Sequence, residues 1–443
     1  RMLDALKDYQ TYLETEAAPS RQAFLQRHPD LVGEIEVYLD SLDVLRRVAT
    51  ENDVFEKPVS ERGTADSEGG VPRELGDYRI VREIGRGGMG IVYEAQQLSL
   101  GRRVALKVLP FACLLDEKRV GRFRNEAAAV AMLQHPNIVP VFGVGFERGV
   151  HFFSMQLIDG RSMAELIDAL QSTRLEVAVG GRMIDDTRPQ SGQGSDTSID
   201  SHEPISSLRS EFTGSRREFY CAVARLGKQA CDALGHAHDT GIVHRDIKPS
   251  NLLVDTRRQL WVTDFGLATN VGDMTTTVGL VGTVRYMSPE QASGNRRRVD
   301  HRTDIYSLGA SLYELATGVP MFPGDDRAGI LNDVVHREPK RPRIADARIP
   351  VDLETILLKA TEKERDDRYI SAAEMATDLD RFLNGRALLA QPLTTSVRLR
   401  RWVTRNRKVF YFAVAVVSLL VISALIATRV HLRQLGAAHA VLQ

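Results

Sequence analysis

Ile242-Val243-His244-Arg245-Asp246-Ile247-Lys248-Pro249-Ser250-Asn251, with Asp264-Phe265-Gly266 beginning thirteen residues after Asn251, is the stretch around which the chain is organised. An Asp, an Asn five residues later and a second Asp give three oxygen-bearing side chains that a tight loop can bring to one place. One carboxylate can orient a hydroxyl and accept its proton, while the other two groups are hard oxygen ligands suited to Mg2+. Lys248 adds a cation to the same loop.

Upstream, Gly85-Arg86-Gly87-Gly88-Met89-Gly90-Ile91-Val92 places glycines where a backbone can lie close over an anion without a Cβ in the way. A dinucleotide-binding loop spaces its glycines in the same way but needs a helix immediately afterwards. Here Ile91 to Ala95 and Arg103 to Leu109 read as strands, so a β-hairpin is preferred. Val104-Ala105-Leu106-Lys107 ends a β-rich run in a lysine, which in isolation reads as a solvated strand edge. The periodicity of Phe123, Ala127, Val130 and Leu133 predicts a helix over Arg119 to Leu133, with Glu126 beside its apolar stripe. Two further strands end in Phe152-Phe153-Ser154-Met155-Gln156-Leu157-Ile158.

Taken in this order, the motifs resemble the eukaryotic-type (Hanks-type) Ser/Thr protein kinases, and bacterial single-pass transmembrane kinases in particular. The resemblance covers Tyr78 to Leu383 and implies an α+β, two-lobed protein kinase fold: a small β-rich N-lobe and a larger helical C-lobe. It implies that Asp246 orients the acceptor hydroxyl, that Lys248 neutralises the transferring phosphoryl group, and that Lys107 holds the α- and β-phosphates of ATP while paired with Glu126. Asn251 and Asp264 would hold Mg2+, with Mn2+ as an alternative. Ile84, Gly85, Arg86, Gly87, Gly88, Met89, Gly90, Ile91 and Val92 would cover the nucleotide; Ala105, Met155, Gln156, Ile158 and Leu253 would line the adenine site. His244 and Phe265 would pack between the lobes, Asp304 would anchor the catalytic loop, and Glu290 would pair with Arg368. Thr275, Thr276 and Thr277 are candidate phosphorylation sites facing Arg245, whereas Thr283 is expected to bond the catalytic Asp and Lys. The implied partners are protein substrates with Ser/Thr acceptors and a second copy of the chain for trans-autophosphorylation. Two rival readings are a catalytically silent nucleotide-binding scaffold and a small-molecule kinase; the Gly282 to Glu290 segment, which resembles a peptide-docking loop, argues against the second.

The rest of the chain reads as appended segments. Fifty-eight basic residues balance 58 acidic ones, leaving no bulk charge to recruit nucleic acid. Cys113, Cys221 and Cys231 are too few for a disulfide framework. Residues 1–50 read as a helical extension, with a piece from Leu3 to Leu13 and an amphipathic stripe of Leu31, Ile35, Tyr38, Leu42 and Leu45. Residues 51–77 form an acidic, Gly/Ser-rich linker, and 78–385 the kinase domain, interrupted by a polar insertion over about 172–216. A basic segment over 386–408 precedes Val409 to Thr428, twenty uncharged residues that would span about 30 Å as a helix, the thickness of a bilayer's hydrocarbon core. Arg398, Arg400, Arg401, Arg405, Arg407 and Lys408 stand before this span. By positive-inside bias the kinase domain lies in the cytoplasm, with the basic run against anionic lipid of the cell membrane and 429–443 as a far-side tail. A chain beginning with Arg1 is expected to continue upstream, and a sensor is expected beyond residue 443 or elsewhere.

Overall fold

The computed structural model describes residues 21–27, 29, 32, 74–87, 90–109, 117–147, 150–180, 216–265, 281–390 and 407–441. Near the N-terminus these include α1 (Arg21–Arg27), where Phe24 is 1% exposed and is therefore packed against protein. The periodic stretches from Leu3 to Leu13 and Leu31 to Leu45 fall almost wholly outside the described residues, as does most of the linker.

The N-lobe is a six-stranded antiparallel sheet in the order β1-β2-β3-β4-β6-β5. Its strands are β1 (Glu74–Leu75), β2 (Tyr78–Gly87), β3 (Gly90–Gln97), β4 (Arg102–Val108), β5 (Val141–Glu147) and β6 (Val150–Gln156). The glycine-rich stretch closes the β2–β3 hairpin, with Gly87 opposite Gly90. A Cβ on Gly90 would lie 2.8 Å from the Val108 carbonyl oxygen, so only glycine lets the hairpin come this close to the strand that carries Lys107.

Alternation along these strands sorts two cores onto opposite faces. Tyr78, Ile80, Tyr93, Leu106, Val108 and Phe152 form one. Ala105, Phe153 and Met155 join Phe123 and Ala127 of α2 (Glu117–Ala131) in the other, with Val92, Leu157 and Ile158 packed against them. Burying apolar surface at roughly 25 cal/mol per Å2 is what holds α2 on the sheet.

The C-lobe is helical around a small antiparallel sheet, β7 (Gly160–Ser162), β8 (Leu252–Asp255) and β9 (Leu260–Val262), in that spatial order. Its helices are α3 (Met163–Gly180), α4 (Arg216–Asp239), α5 (Arg302–Thr317), α6 (Arg327–His336), α7 (Val351–Ala360) and α8 (Ala372–Leu383). Helix α3 continues to Gly180, so helical backbone enters the segment that composition reads as an insertion. Side-chain caps set several starts. Asp326 accepts from the N–H groups of Ala328 and Gly329 ahead of α6, and Ser371 accepts from Glu374 ahead of α8. Every residue of α5 from Thr303 to Thr317 is buried. Gly309 makes that possible, because a Cβ there would sit 2.8 Å from the Ala360 Cβ at the end of α7.

The lobes are joined by backbone as well as by side chains. Val139 N–H donates to the Val262 carbonyl at 3.0 Å, and Val262 N–H donates to the Asn137 carbonyl at 2.8 Å. Asn137 Nδ2 donates to the Leu260 carbonyl at 2.8 Å.

A separate unit, residues 390–443, contains α9 (Arg407–Val441). Its segment Phe410–Arg429 is long and apolar enough to cross a membrane and is unburied, matching the expected span to within a residue. The helix runs on beyond that span to Val441.

Candidate functional site

The organising stretch folds as a loop between α4 and β8, and its shape is imposed from beneath. Asp304, 0% exposed in the first turn of α5, accepts the backbone N–H groups of His244 at 2.8 Å and Arg245 at 2.7 Å. His238, at the end of α4, shares a hydrogen bond of 2.8 Å with the same carboxylate. Arg245 takes φ 65°, a left-handed conformation unfavourable for a residue with a Cβ, and Gln291 Nε2 donates to its carbonyl at 2.9 Å. The strain is tolerated because both polar groups of that residue's backbone are satisfied from neighbouring elements.

Above this floor the side chains converge. Lys248 Nζ lies 2.8 Å from Asp246 Oδ2 and donates to Thr283 Oγ1 at 3.4 Å. Asn251 Nδ2 donates to the Asp246 carbonyl at 2.9 Å and approaches Asp246 Oδ2 at 3.3 Å. The amide nitrogen is committed to the loop, and the amide oxygen of Asn251, which accepts from Ser250 Oγ at 3.3 Å, keeps a second lone pair that can bind a cation. Thr263 N–H donates to the Asn251 carbonyl at 3.1 Å, tying this loop to the start of the Asp264 segment.

Asp264 sits at φ 58°, a second left-handed residue that turns its side chain back toward the sheet. Its Oδ1 meets Lys107 Nζ at 2.7 Å, across 157 positions of sequence. Burial disfavours the Asp264 carboxylate most strongly, but the charge and hydrogen bond of Lys107 together with Lys248 and His244 outweigh it and hold the group below the usual carboxylate range. His244 packs against Phe265 with ring centroids 4.5 Å apart and planes tilted by 38°, and its Nε2 bonds the Thr263 carbonyl at 3.0 Å. Burial keeps this imidazole below its ordinary pKa even though Asp304, Asp246 and Asp264 pull the other way. Arg368 makes two bonds of 2.7 Å to Glu290, pinning the segment that follows Thr283.

The nucleotide-facing residues divide by strand face. Val92, Ala105, Met155 and Ile158 share the apolar cluster on the Lys107 side of the sheet. Ile91 packs into the opposite core, so of the pair Ile91 and Val92 only Val92 turns its side chain to that side. Gln156 pairs with Val104, and its N–H is taken by the Pro140 carbonyl at 3.1 Å. Leu253 lies half-buried on β8 opposite Trp261. Ile84, Gly85 and Gly90 lie on the hairpin, where Arg86 is held by Glu83 through bonds of 2.9 and 2.7 Å. Gly88, Met89, Gly266, Thr275, Thr276 and Thr277 lie outside the described residues. Glu126 is on α2, but its side chain is outside them as well, so the expected pair with Lys107 is not described.

His238 and Gln291 were not legible as parts of the site. A lone helical histidine looks like any other. Gln291 carried a readable signal, the Ser288-Pro289-Glu290-Gln291 capping box, but that signal speaks only of a helix start.

The protein kinase domain family matches residues 78–184 and 207–378. A probable serine/threonine-protein kinase of Streptomyces coelicolor is 35% identical over 327 residues, 71% of this chain and 41% of its own length. The serine/threonine-protein kinase PrkC of Bacillus subtilis is 33% identical over 309 residues, 69% of this chain and 40% of its own. The chain thus spans less than half the length of these curated relatives. A crystal structure of the Mycobacterium tuberculosis PknI kinase domain aligns with a TM-score of 0.47 at 23% identity, covering 70% of this chain and 97% of that one.

Proposed function

The chain belongs to the protein kinase family, and from that premise we propose that it transfers the γ-phosphoryl group of ATP to Ser or Thr hydroxyls of proteins. The observation that carries this is the meeting of Lys107, Asp264, Asp246, Lys248 and Asn251 in one polar cluster, drawn from both lobes. In this reading Asp246 receives the acceptor hydroxyl's proton, and Lys248 compensates charge as the phosphoryl group moves. A fixed cation in a dry cleft contributes several kcal/mol, on the order of a thousandfold in rate.

The donor set suits a small hard cation. No three His, Cys, Asp or Glu side chains gather into a metal cage among the described residues, and magnesium needs none, since it is held by one or two protein oxygens together with phosphates. Asn251 and Asp264 supply two such oxygens, and Mn2+ would take the same pair. When bound, the ion would neutralise charge on the phosphates. Lys107, now against Asp264, is positioned to hold the α- and β-phosphates, with Glu126 as its partner on α2. Val92, Ala105, Met155, Ile158 and Leu253 would enclose the adenine, and the glycine hairpin would lie over the phosphates.

The apolar span of α9 supports a single-pass anchor in the cell membrane, with the arginine-rich side and the kinase domain facing the cytoplasm. Phosphorylation among Thr275, Thr276 and Thr277, with Arg245 receiving the charge, is the proposed means of activation, carried out between two copies. The test is transfer of γ-phosphate from ATP to a generic protein substrate. Wild-type chain should label it, and Asp246→Asn, which keeps the side chain's shape and removes its basicity, should lose at least about a hundredfold in rate. Equal labelling by the two proteins would leave the scaffold reading in its place.

A further inference from the structure

One nitrogen of His238 is left over by the catalytic loop. The side chain is 8% exposed at the end of α4, and its Nδ1 is a buried polar atom with no hydrogen-bond partner among the described residues. A buried nitrogen in that state has lost its hydration without return, so it calls for a reason. The other nitrogen, Nε2, is taken by the Asp304 carboxylate at 2.8 Å. Because an ionised carboxylate only accepts, the neutral ring carries its proton on Nε2, and Nδ1 holds a lone pair. Beside it stands His301, half-buried at the start of α5, with ring centroids 5.4 Å apart and planes inclined at 57°. His301 Nε2 bonds the Ile370 carbonyl at 2.7 Å, again a group that only accepts, so its Nδ1 carries a lone pair as well. Two imidazoles in fixed tautomers thus stand together, each with an unprotonated Nδ1.

We propose that His238 and His301 bind one zinc-class divalent ion through Nδ1 of each ring, with water completing its shell. Imidazole nitrogen is a donor that suits Zn2+, Cu2+ and Ni2+, whereas Mg2+ takes oxygen. The spacing fits. Two imidazoles on one tetrahedral zinc, with Zn–N bonds of about 2.0–2.1 Å, have ring centres about 5.2 Å apart. Ligating histidines ordinarily donate their other N–H to a carboxylate or a carbonyl, which fixes the ring and raises its basicity. Asp304 does this for His238, and Ile370 does it for His301. Arg302, the cation next in sequence to His301, is engaged by Asp300 and Asp366 at 2.8 and 2.7 Å. A second pair of histidines shows what is missing elsewhere. His135 and His236 also lie 5.4 Å apart, but their rings are stacked at 28°, and His135 Nδ1 accepts the Asn137 N–H at 3.1 Å. That bond uses the one lone pair of a neutral ring, so His135 has none to give an ion. An ion on His238 and His301 would pin the end of α4 to the start of α5, behind the carboxylate that shapes the catalytic loop. It would be separate from the Mg2+ of phosphoryl transfer, and its binding is read without any activity.

The test is zinc binding by the full chain in detergent, stripped of metal and then titrated with Zn2+ against a chromogenic chelator in the presence of excess Mg2+. Wild type should bind one equivalent that His301→Ala loses, the affinity falling at least about tenfold. The melting temperature of wild type should rise by about 5 °C once free zinc stands a hundredfold above the Kd, and that rise should be absent in the variant. His301→Gln, which can still donate to the Ile370 carbonyl, should lose zinc in the same way while its metal-free melting temperature stays at the wild-type value. His135→Ala should bind zinc as wild type does. Equal zinc affinity in wild type and both His301 variants overturns the proposal. So does a Kd above about 1 mM, which would mean an adventitious ion only and leave Nδ1 of His238 to a buried water.

Discussion

Helices α5 and α9 meet the same problem in two different solvents. In each, water is excluded or expected to be: α5 is enclosed by the C-lobe, and α9 carries a span fit for lipid. In each, hydroxyls turn to their own helix. Ser307, Ser311 and Thr317 donate to carbonyls four residues back at 2.8 to 3.0 Å, and Thr428 does the same at 2.8 Å, while Ser423 reaches three residues back at 2.9 Å. They part over charge. Helix α5 buries Asp304 and Glu314, the first among backbone N–H groups and His238, the second against the Tyr286 hydroxyl. Between Phe410 and Thr428 there is no charge at all. A protein interior can bring a partner to a carboxylate, whereas hydrocarbon cannot.

The largest expected effect is at the charge that α5 protects. Asp304→Ala strands the buried His244 N–H and the part-buried Arg245 N–H and should cost about 3–5 kcal/mol of stability, read by chemical denaturation, with phosphoryl transfer falling in step. A loss below about 1 kcal/mol would mean that the loop holds its own shape. Next is the converse, a charge where α9 has none. Leu420→Arg should disfavour insertion by about 2.5–3.5 kcal/mol, seen as loss from the membrane fraction, while the unfolding transition of the catalytic unit stays put.

Acid should separate the two helices' surroundings further. Burial keeps His244 neutral in the folded chain, so its folded pKa lies below the unfolded value. As pH falls below about 6.5 the unfolded chain takes a proton that the folded chain refuses, and stability drops by up to about 1.4 kcal/mol per pH unit until the folded pKa is reached. His244→Phe should flatten that slope in a denaturation series from pH 7 to 5, and membrane association through α9 should not respond. The smallest effect tests the shared habit. Ser311→Ala should cost about 1 kcal/mol, and Ser423→Ala about 0.6 kcal/mol or less.

These contrasts also explain what could be read without coordinates. Elements whose residues speak locally were legible: the glycine hairpin, the β4 run ending in Lys107, the periodicity of α2 through Phe123, Ala127 and Val130, and the uncharged span. Position in a familiar order supplied Asp304 and the Glu290 to Arg368 pair, which no local pattern announces. What escaped was set by distant packing. That His238 would share the Asp304 carboxylate depends on where α4 ends against α5, and that Ile91 would face away from Val92's cluster depends on the register of β3 with β4. The reach of α3 to Gly180 escaped because the polar, Gly/Ser-rich stretch beyond it set the boundary too early, although Leu175, Val177, Ala178 and Val179 continue the helix.

The pairing of Arg368 with Glu290 closes a ring of chain 78 residues around, and it does so with two bonds of 2.7 Å in a buried setting. Such a clasp joins the segment ahead of α5 to the segment ahead of α8 without a covalent link. A protease that nicked the exposed turn at Gly324 to Asp326 would therefore leave the two fragments latched together, travelling as one particle until a denaturant pulled the guanidinium from its carboxylate.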